Sequence, residues 1–371
     1  MKRILVLTSS RADFGIYLPL LYQLKADASI KLDILAFGSH LSRYHGHTID
    51  QIKEAGFEVS FTISSLLLGD APVDIVSSYS LTVQRFADFW DQRAHDFDLV
   101  LVLGDRFEMA AAVAAGIPFN VNFAHIHGGE TTLGAIDNIY RHSISLASKL
   151  HFVALPEFKK RLKSILNYKE NIFVVGALGL DNLSNVSLLS IEEFNHKWGI
   201  NLNKASILIT VHPETVAFEN NQEYANQLNK ALLNLLKDFQ LIITLPNADT
   251  LGSIYREKFD ELRGKYPEKV FLIENFGTAS YFTAMKYAKL MLGNTSSGII
   301  EAASFGKYVI NLGKRQLGRV TGNNVHHVDF DANSIVNSVK SIEENTYNGD
   351  NIYDQGNAAQ KILEVIRNYE L

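Results

Sequence analysis

The chain has 371 residues, of which 47% are hydrophobic and 20% are charged, and its formal net charge is −5. This length suits two domains, and the total charge implies no basic face for nucleic acid. The absence of cysteine excludes disulfides, thiolate catalysis and cysteine-ligated metals, whereas a zinc site built from histidine and carboxylate stays open.

The N-terminal segment MKRILVLTSS contains two basic residues and a short apolar run. This run is too short for the core of a signal peptide. No stretch of the chain approaches the roughly 20 apolar residues of a membrane-spanning helix. We therefore expect a cytoplasmic protein that has neither a membrane nor a nucleic acid as a partner.

Short apolar strings alternate with longer amphipathic segments along the chain. In order, the strings are RILVLTS, LDILAFGS, LVLVLGD, FNVNFAHI, LHFVAL, IFVVGAL, SILITVHP, LIITLP, VFLIEN, LMLGN and YVINLG. Helical candidates between them include GIYLPLLYQLKAD, QEYANQLNKALLNLLKDF and TASYFTAMKYAK. Such strings are typical of strands buried on both faces of a parallel sheet, and their alternation with helices predicts the α/β class.

The pattern of strand and helix runs once to about residue 175 and restarts near residue 205. This restart predicts two Rossmann-like, doubly wound domains that face each other, one over residues 1–175 and one over 176–354. The last helical segment, within 355–371, is expected to pack back on the first domain. Ligands of such sheets bind outside the carboxyl ends of the strands, so the polar residues that follow each strand are the candidates for a site.

The segment HIHGGE, residues 125–130, follows one of these buried strands. Residues i and i+2 of a strand point to the same side, so His125 and His127 could both bind one ion. With Asp105, the donors would suit zinc or manganese. Acid/base chemistry without a metal and a purely structural role are the alternatives. The residues alone leave all three open.

Further titratable groups lie close by in the sequence. Asp105 and Arg106 end the string LVLVLGDR, and Asp137 and Arg141 are four residues apart on one predicted helix. The latter pair is either a helix salt bridge worth a few tenths of a kcal/mol or a carboxylate that an arginine holds near a substrate. The acidic groups of the strand ends and of this helix together would form a dense acid/base set.

The segment LMLGNTSSGIIE places Ser296 and Ser297 where a strand gives way to a helix. Free backbone N–H groups and two hydroxyls at a helix N-terminus form an anion site, although a serine N-cap without a ligand is the alternative. Glu301, one turn further along, could reach a sugar hydroxyl or could be a solvated helix residue.

Other polar residues follow strands of the second half. Lys314, Arg315 and Arg319 lie beside glycines in NLGKRQLGR, and His212 and Asn247 follow two earlier strings. Arginine suits phosphate oxygens, which favours a cradle for a nucleotide diphosphate over a merely solvated basic loop. Neither G-x-G-x-x-G nor a P-loop is present, so no dinucleotide or Walker-type site is supported.

Taken in order, the motifs SRADFG, GSHL, GDRFE, HIHGGE with IDNIYRHSI, VHPET, LPNADTLGS, GNTSSGIIEAASFGK and INLGKRQLGRVTGNNV resemble those of the UDP-N-acetylglucosamine 2-epimerases. The closer match is to the hydrolysing branch of bacterial sialic-acid and related pathways, and it covers nearly the whole chain. The resemblance implies a glycosyltransferase-B-like fold with the active site in the cleft between the domains. It also implies that the enzyme needs no nicotinamide cofactor and no catalytic metal.

The resemblance further implies roles for individual residues. In the second domain, Ser296 and Ser297 would hold the diphosphate of UDP, Glu301 the ribose, and His212 and Arg315 the phosphates. Asn247 and Arg319 are further candidate substrate contacts because of their positions after strands of the second half.

In the first domain, the resemblance implies that Arg11 reaches the diphosphate and that His40 lines the sugar pocket. Arg106, next to Asp105, is a further candidate substrate contact. The implied acid/base candidates near the sugar are Asp105, Glu130 and Asp137, the last oriented by Arg141. Other branches of the family carry glutamate at the position of His127, so the role of that glutamate passes either to His127 or to Glu130.

The expected activity is hydrolytic 2-epimerisation of UDP-N-acetylglucosamine to UDP and N-acetylmannosamine through a 2-acetamidoglucal. The same reaction on UDP-N,N′-diacetylbacillosamine, a glycosyltransferase on the same fold and a non-catalytic nucleotide-sugar sensor are the alternatives. The number of titratable groups disfavours the sensor. The family suggests a dimer or tetramer.

Overall fold

The computed structural model describes residues 1–44, 46–168, 170–245 and 252–369. The chain folds into two compact units. The first is formed by Met1–Glu130, Asp137–Asn185 and Tyr353–Leu371, and the second by Thr131–Ile136 and Val186–Ile352.

The strands follow the apolar strings closely. In chain order they are β1 (Lys2–Thr8), β2 (Ile30–Phe37), β3 (Phe61–Ile63), β4 (Leu99–Leu103), β5 (Phe123–Ile126), β6 (Ser148–Val153), β7 (Ile172–Val174), β8 (Ser206–Thr210), β9 (Gln240–Thr244), β10 (Val270–Ile273), β11 (Leu290–Gly293), β12 (Val309–Leu312) and β13 (Val325–Val328).

The helices lie between the strands. In chain order they are α1 (Arg11–Ala26), α2 (Ile49–Glu54), α3 (Pro72–Arg93), α4 (Phe107–Gly116), α5 (Asp137–Ala147), α6 (Pro156–Leu166), α7 (Asn182–Asn185), α8 (Ile191–Trp198), α9 (Asn221–Leu235), α10 (Gly252–Lys265), α11 (Gly277–Tyr287), α12 (Ser296–Ile300), α13 (Ala332–Ile342) and α14 (Ala358–Asn368).

Each unit contains one parallel sheet. The strand order is β3-β2-β1-β4-β5-β6-β7 in the first unit and β10-β9-β8-β11-β12-β13 in the second. Every described pairing between these strands is parallel. The order reverses between β1 and β4 and again between β8 and β11, and such switch points are where ligands bind in open α/β sheets. The predicted class, α/β with two Rossmann-like doubly wound domains, is confirmed.

Hydrophobic cores cover both faces of each sheet. In the first unit, Trp90 of α3 packs edge-on against Phe123 of β5, and its indole Nε1–H donates to the carbonyl of Ala112 at 3.1 Å. Trp90 is fully buried, so its replacement by alanine would cost about 3–5 kcal/mol of stability. Because both faces are covered, the carboxyl ends of the strands are the edge where polar residues collect.

The C-terminal helix α14 is fixed to the first unit at both of its ends. The carboxylate of Asp181 accepts the backbone N–H groups of Ala358 and Ala359 at the N-terminus of the helix, at 3.1 and 2.7 Å. The ammonium group of Lys2 in β1 donates to the carbonyls of Ile366, Arg367 and Tyr369 at 2.8, 2.9 and 2.6 Å. Charges of these signs complement the helix dipole and the unsatisfied backbone groups at each end.

Candidate active site

His125 lies on β5 and is fully buried. Its Nε2–H donates to the carbonyl of Gly104 at 2.8 Å, and its Nδ1 accepts the hydroxyl of Ser145 at 2.9 Å. Burial lowers the pKa of His125 to about 3, so the ring is neutral at physiological pH. Since both ring nitrogens are occupied within the protein, His125 supports the ends of β4 and β5 and is not available as a metal ligand.

His127 lies just beyond the end of β5 and has φ of 66°. The alternation of a strand therefore ends at Ile126, and the expectation that His125 and His127 point to the same side as strand neighbours is wrong. The Nδ1 of His127 is 2.8 Å from Oε1 of Glu130, a carboxylate with 1% exposure. The Nε2 of the same ring is buried and has no hydrogen-bond partner among the described residues.

The two glycines of HIHGGE make this turn possible. A Cβ on Gly128 would lie 3.0 Å from both Nδ1 of His125 and Oγ of Ser145, and one on Gly129 would lie 2.6 Å from the carbonyl oxygen of Phe158 in α6. Gly129 also has φ of 76°, which side chains disfavour. The turn thus packs against His125 and Ser145, and it brings His127 and Glu130 together.

A second charged cluster follows the adjacent strand β4. The guanidinium group of Arg141 on α5 forms a hydrogen-bonded ion pair with the carboxylate of Asp105. Arg141 is 2% exposed at its side chain, and Asp105 is 28% exposed. The neighbouring Arg106 makes a two-pronged contact with the buried Glu108, at 2.9 and 3.2 Å. Asp105 is therefore held by a buried arginine, and Arg106 is held by a buried carboxylate.

Asp137 is the first residue of α5, one turn before Arg141 on the same helix. The sequence predicts that Arg141 orients Asp137, and the structure adds the pairing of Arg141 with Asp105. Asp137 is partly buried. The helix therefore brings one further carboxylate to the region of the Asp105 pair.

Arg11 and His40 follow β1 and β2. Arg11 is the first residue of α1, whose N-cap is Ser10, and it is partly buried. His40 is fully buried, with both ring nitrogens at 2.9 Å from the hydroxyls of Thr8 and Thr48. Burial lowers the pKa of His40 to about 4. The neutral ring joins the ends of β1 and β2 from inside the protein, so contact with a sugar stays a prediction.

In the second unit, Asn294 joins the ends of β8 and β11. Its Oδ1 accepts the backbone N–H of His212 at 2.7 Å, and its Nδ2 donates to the carbonyl of His212 at 2.9 Å. Asn294 is fully buried, and its own carbonyl accepts the side-chain amide of Gln316 at 2.8 Å. One buried amide thus fixes His212, the start of α12 and the loop that contains Gln316.

Helix α12 begins at Ser296, and its N-cap is Thr295, whose hydroxyl accepts the N–H of Ser297. Neither Ser296 nor Ser297 is therefore the capping residue. Ser296 is exposed, while the hydroxyl of Ser297 is 2.9 Å from that of Tyr281. Glu301 follows the helix as its C-cap and is partly buried.

The basic loop after β12 rests on Glu214, a residue of the VHPET motif that sequence reasoning did not single out. An oxygen of this buried carboxylate accepts the backbone N–H of Lys314. Lys314 is exposed, and Arg315 and Arg319 are partly buried. A lone glutamate in a loop gives no sequence signal of its own, because its role depends on a contact with a segment 100 residues further along the chain.

The segment that directly follows Glu130 belongs to the second unit and packs on the same loop. The N–H of Leu133 donates to the carbonyl of Leu317 at 2.9 Å. The N–H of Ile136 donates to Oγ1 of Thr215 at 2.9 Å. A Cβ on Gly134 would lie 2.4 Å from the carbonyl oxygen of Lys314, so only glycine permits this approach.

Comparison with known proteins decides the family. The family model described as UDP-N-acetylglucosamine 2-epimerase matches residues 22–367. The chain belongs to the UDP-N-acetylglucosamine 2-epimerase family.

Similar proteins and solved structures match nearly the whole length of the chain. The GDP/UDP-N,N′-diacetylbacillosamine 2-epimerase (hydrolyzing) of Campylobacter jejuni is 34% identical over 93% of this chain and 88% of its own length. The polysialic acid biosynthesis protein P7 of Escherichia coli is 31% identical over 100% of this chain and 94% of its own. The crystal structure of UDP-GlcNAc 2-epimerase from Neisseria meningitidis bound to UDP-GlcNAc has a TM-score of 0.82 at 21% identity, with complete coverage of both chains. That last likeness concerns the fold.

Three further observations complete the description of this family member. Asn247, one of the predicted substrate contacts, lies outside the described residues. Within residues 1–44, 46–168, 170–245 and 252–369, no group of three or more histidine and acidic side chains could hold a metal ion. In the same part of the chain, no helix has the length and apolarity needed to cross a membrane.

Proposed function

We propose that this member of the 2-epimerase family is hydrolysing, and that it converts UDP-N-acetylglucosamine and water into UDP and N-acetylmannosamine. One observation carries the proposal. A carboxylate follows each of the neighbouring strands β4 and β5, and each is in contact with a nitrogen-bearing side chain. Asp105 is paired with Arg141, and Glu130 with His127. Proton transfer at a sugar carbon needs such positioned acid/base groups, whereas binding alone does not.

In the proposed first step, a base removes the proton from C2 while the bond between C1 and the diphosphate oxygen breaks. The products of this step are UDP and a 2-acetamidoglucal. In the second step, water adds across the double bond: its oxygen bonds to C1, and a proton is added to C2. This proton arrives on the face opposite to the one from which the first proton was removed, which inverts C2. The proposed acid/base groups are His127 with Glu130, Asp105 and Asp137. Arg141 is proposed to position the carboxylates of Asp105 and Asp137.

UDP is proposed to bind the second unit. The phosphates would contact the hydroxyls of Ser296 and Ser297 and the side chains of His212 and Arg315. Helix N-termini and arginine side chains are both suited to phosphate oxygens. The second unit supports this proposal because Asn294 and Gln316 connect the start of α12 with the basic loop. Arg11, Arg106, Arg319, His40, Asn247 and Glu301 are the further proposed substrate contacts.

A second substrate has a specific observation in its favour. The Campylobacter relative at 34% identity is named for diacetylbacillosamine linked to GDP or UDP. That sugar differs from N-acetylglucosamine at C4 and C6, so the same chemistry at C1 and C2 would apply. Both substrates fit a place in the synthesis of sialic-acid-type sugars, by an enzyme that we propose to be a cytoplasmic homo-oligomer without cofactor or catalytic metal.

The test is incubation of the protein with UDP-N-acetylglucosamine, UDP-N,N′-diacetylbacillosamine and GDP-N,N′-diacetylbacillosamine, each without an acceptor. We expect release of the nucleotide diphosphate and of the 2-epimeric free sugar from one of them. In D₂O the sugar should carry one deuterium at C2. Nucleotide release only when an acceptor is added would identify a glycosyltransferase instead, and a product that keeps its C2 hydrogen would contradict the elimination step.

A further inference from the structure

Glu214 is a buried carboxylate, 2% exposed, that lies beneath the loop between β12 and β13. The backbone N–H groups of both Lys314 and Arg315 form hydrogen bonds with its side chain. Two consecutive backbone N–H groups that converge on one anion form a nest of the kind that commonly binds phosphate. Here the anion in the nest is a side chain of the protein itself.

The close approach of this carboxylate depends on Gly313, the first residue of the loop. Gly313 has φ of 65°, and a Cβ at this position would lie 2.2 Å from Oε1 of Glu214. Any larger residue would push the carboxylate away from the N–H groups of Lys314 and Arg315. The loop is therefore shaped around Glu214 from its first residue.

The backbone of Glu214 is itself fixed. Asn221, a fully buried residue at the start of α9, accepts the N–H of Glu214 at 3.0 Å and donates to its carbonyl at 2.8 Å. The hydroxyl of Tyr255 donates to the same amide oxygen of Asn221 at 3.2 Å. The backbone that carries the carboxylate is thus held by Asn221 of α9, which Tyr255 of α10 supports in turn.

Arg315 lies between two anchors of the loop. Before it, the N–H of Lys314 is bound by Glu214. After it, the side chain of Gln316 donates to the carbonyl of Asn294, just ahead of α12. The backbone of Arg315 is consequently held on both sides.

Burial of the Glu214 carboxylate disfavours its charged form. Burial raises the pKa of Glu214, although the N–H groups and positive charges of Lys314 and Arg315 act in the opposite direction. A buried carboxylate is costly unless it is hydrogen-bonded. The contact that offsets this cost is the one with the loop, at the N–H of Lys314.

We propose that Glu214 is a positioning residue for nucleotide binding, and that it sets the backbone at Arg315 so that the arginine side chain can contact the diphosphate of UDP. The inference rests on the proposed function, because it takes Arg315 as a phosphate contact. It adds that the N–H groups of the nest are not phosphate donors, since Glu214 occupies them. Recognition at this loop is therefore through side chains.

The experiment is a double-mutant cycle on UDP affinity, measured by calorimetry with the full chain. The variants are Glu214→Gln, Arg315→Ala and the combination of both, with Glu219→Gln, an exposed glutamate five residues further along, as the matched control. A glutamine offers one neutral acceptor in place of a carboxylate that serves two N–H groups, so UDP affinity should fall about tenfold. The control should bind UDP as the wild type does.

The combined variant separates positioning from general damage. If Glu214 acts through Arg315, the substitution Glu214→Gln should have little further effect once Arg315 is alanine. Losses that multiply in the combined variant, or wild-type affinity of Glu214→Gln, would overturn the proposal. Thermal unfolding should show no comparable loss of stability for Glu214→Gln, because the substitution removes a buried charge.

A second variant keeps the proposal testable if Glu214→Gln does not fold. Glu214→Asp retains the charge and withdraws it from the loop by one methylene group, so UDP affinity should again fall while the fold persists. Wild-type affinity of this variant would also overturn the proposal. If the wild-type protein itself binds no UDP, the proposed function has failed, and this outcome is distinct from the failure of the Glu214 inference.

Discussion

The pair formed by His127 and Glu130 leads to a quantitative prediction for the variant Glu130→Gln. An ionised carboxylate can only accept a hydrogen bond, so the 2.8 Å contact requires that Nδ1 of His127 carries the proton. The other ring nitrogen, Nε2, then has a lone pair and is the atom able to take up a proton. Glutamine at position 130 can instead donate to Nδ1, which would place the proton on Nε2 and abolish the base.

The magnitude follows from two effects. A neutral partner in place of the carboxylate forfeits about 1.5–3 kcal/mol of charge-assisted hydrogen bonding to the imidazolium, which corresponds to a factor of about 10–150 in kcat. Stabilisation of the wrong tautomer in comparable histidine–carboxylate pairs costs about 10⁴-fold. We therefore expect kcat of Glu130→Gln to fall by at least about 10-fold from the first effect and by up to about 10⁴-fold from the second.

The assay is the initial rate of UDP release at saturating substrate, with the dissociation constant of UDP measured in parallel. UDP affinity should stay near the wild-type value, because Glu130 is proposed to act in proton transfer at the sugar and is not among the proposed UDP contacts. Glu157→Gln is the matched control, since Glu157 is exposed at the start of the neighbouring helix α6. Wild-type turnover of Glu130→Gln would refute the reasoning and remove this pair from the chemistry.

Three further predictions concern ligands, metals and pH. The double replacement Ser296→Ala with Ser297→Ala should raise the dissociation constant of UDP about tenfold, by loss of hydroxyl donors to charged oxygens, and unchanged affinity in calorimetry would take both serines out of the site. Activity should survive dialysis against EDTA, and activity that is lost and then restored by zinc or manganese would contradict the metal-free mechanism. Burial holds the pKa of His125 at about 3 and those of His40 and His151 at about 4, below their ordinary value of 6.5, so these rings take up protons more readily in the unfolded chain. The free energy of unfolding should therefore be unaffected by these rings above pH 6.5 and should decrease as the pH falls towards 4. A urea unfolding midpoint that stays constant over this range would contradict this prediction.

The apolar strings predict every described strand except β3 and β13. Strands such as β4, Leu99–Leu103, are apolar at every position because both faces are buried. The missed strands, β3 with three residues and β13 with the sequence VHHV, lie at sheet edges. An edge strand exposes part of its surface, so its residues need not form an apolar string.

The site is predictable in its residue types and less so in its contacts. The positions of Asp105 and Glu130 after β4 and β5 follow from the rule that polar residues after parallel strands gather at one edge. The separation of His125 from His127 does not follow, because it depends on the left-handed backbone at His127. The pairing of Arg141 with Asp105 and the role of Glu214 depend on contacts between distant segments, which no local pattern reveals. The assignment of sugar chemistry to one domain and UDP to the other, the predicted domain boundaries and the oligomeric state stay predictions.

The composition of the first unit from three chain segments has a consequence for biosynthesis. Its sheet and α14 are joined by Lys2 and Asp181, yet the ribosome adds Tyr353 and the residues after it only when all of Val186–Ile352 has been made. Domains commonly fold in the order of their synthesis, the N-terminal one first. In this protein, synthesis of the first unit begins before that of the second unit but ends after it, because the segment from Tyr353 follows Val186–Ile352 in the chain. Until α14 is made, the core that it shares with β1 and α1 lacks Ile362, Leu363 and Ile366.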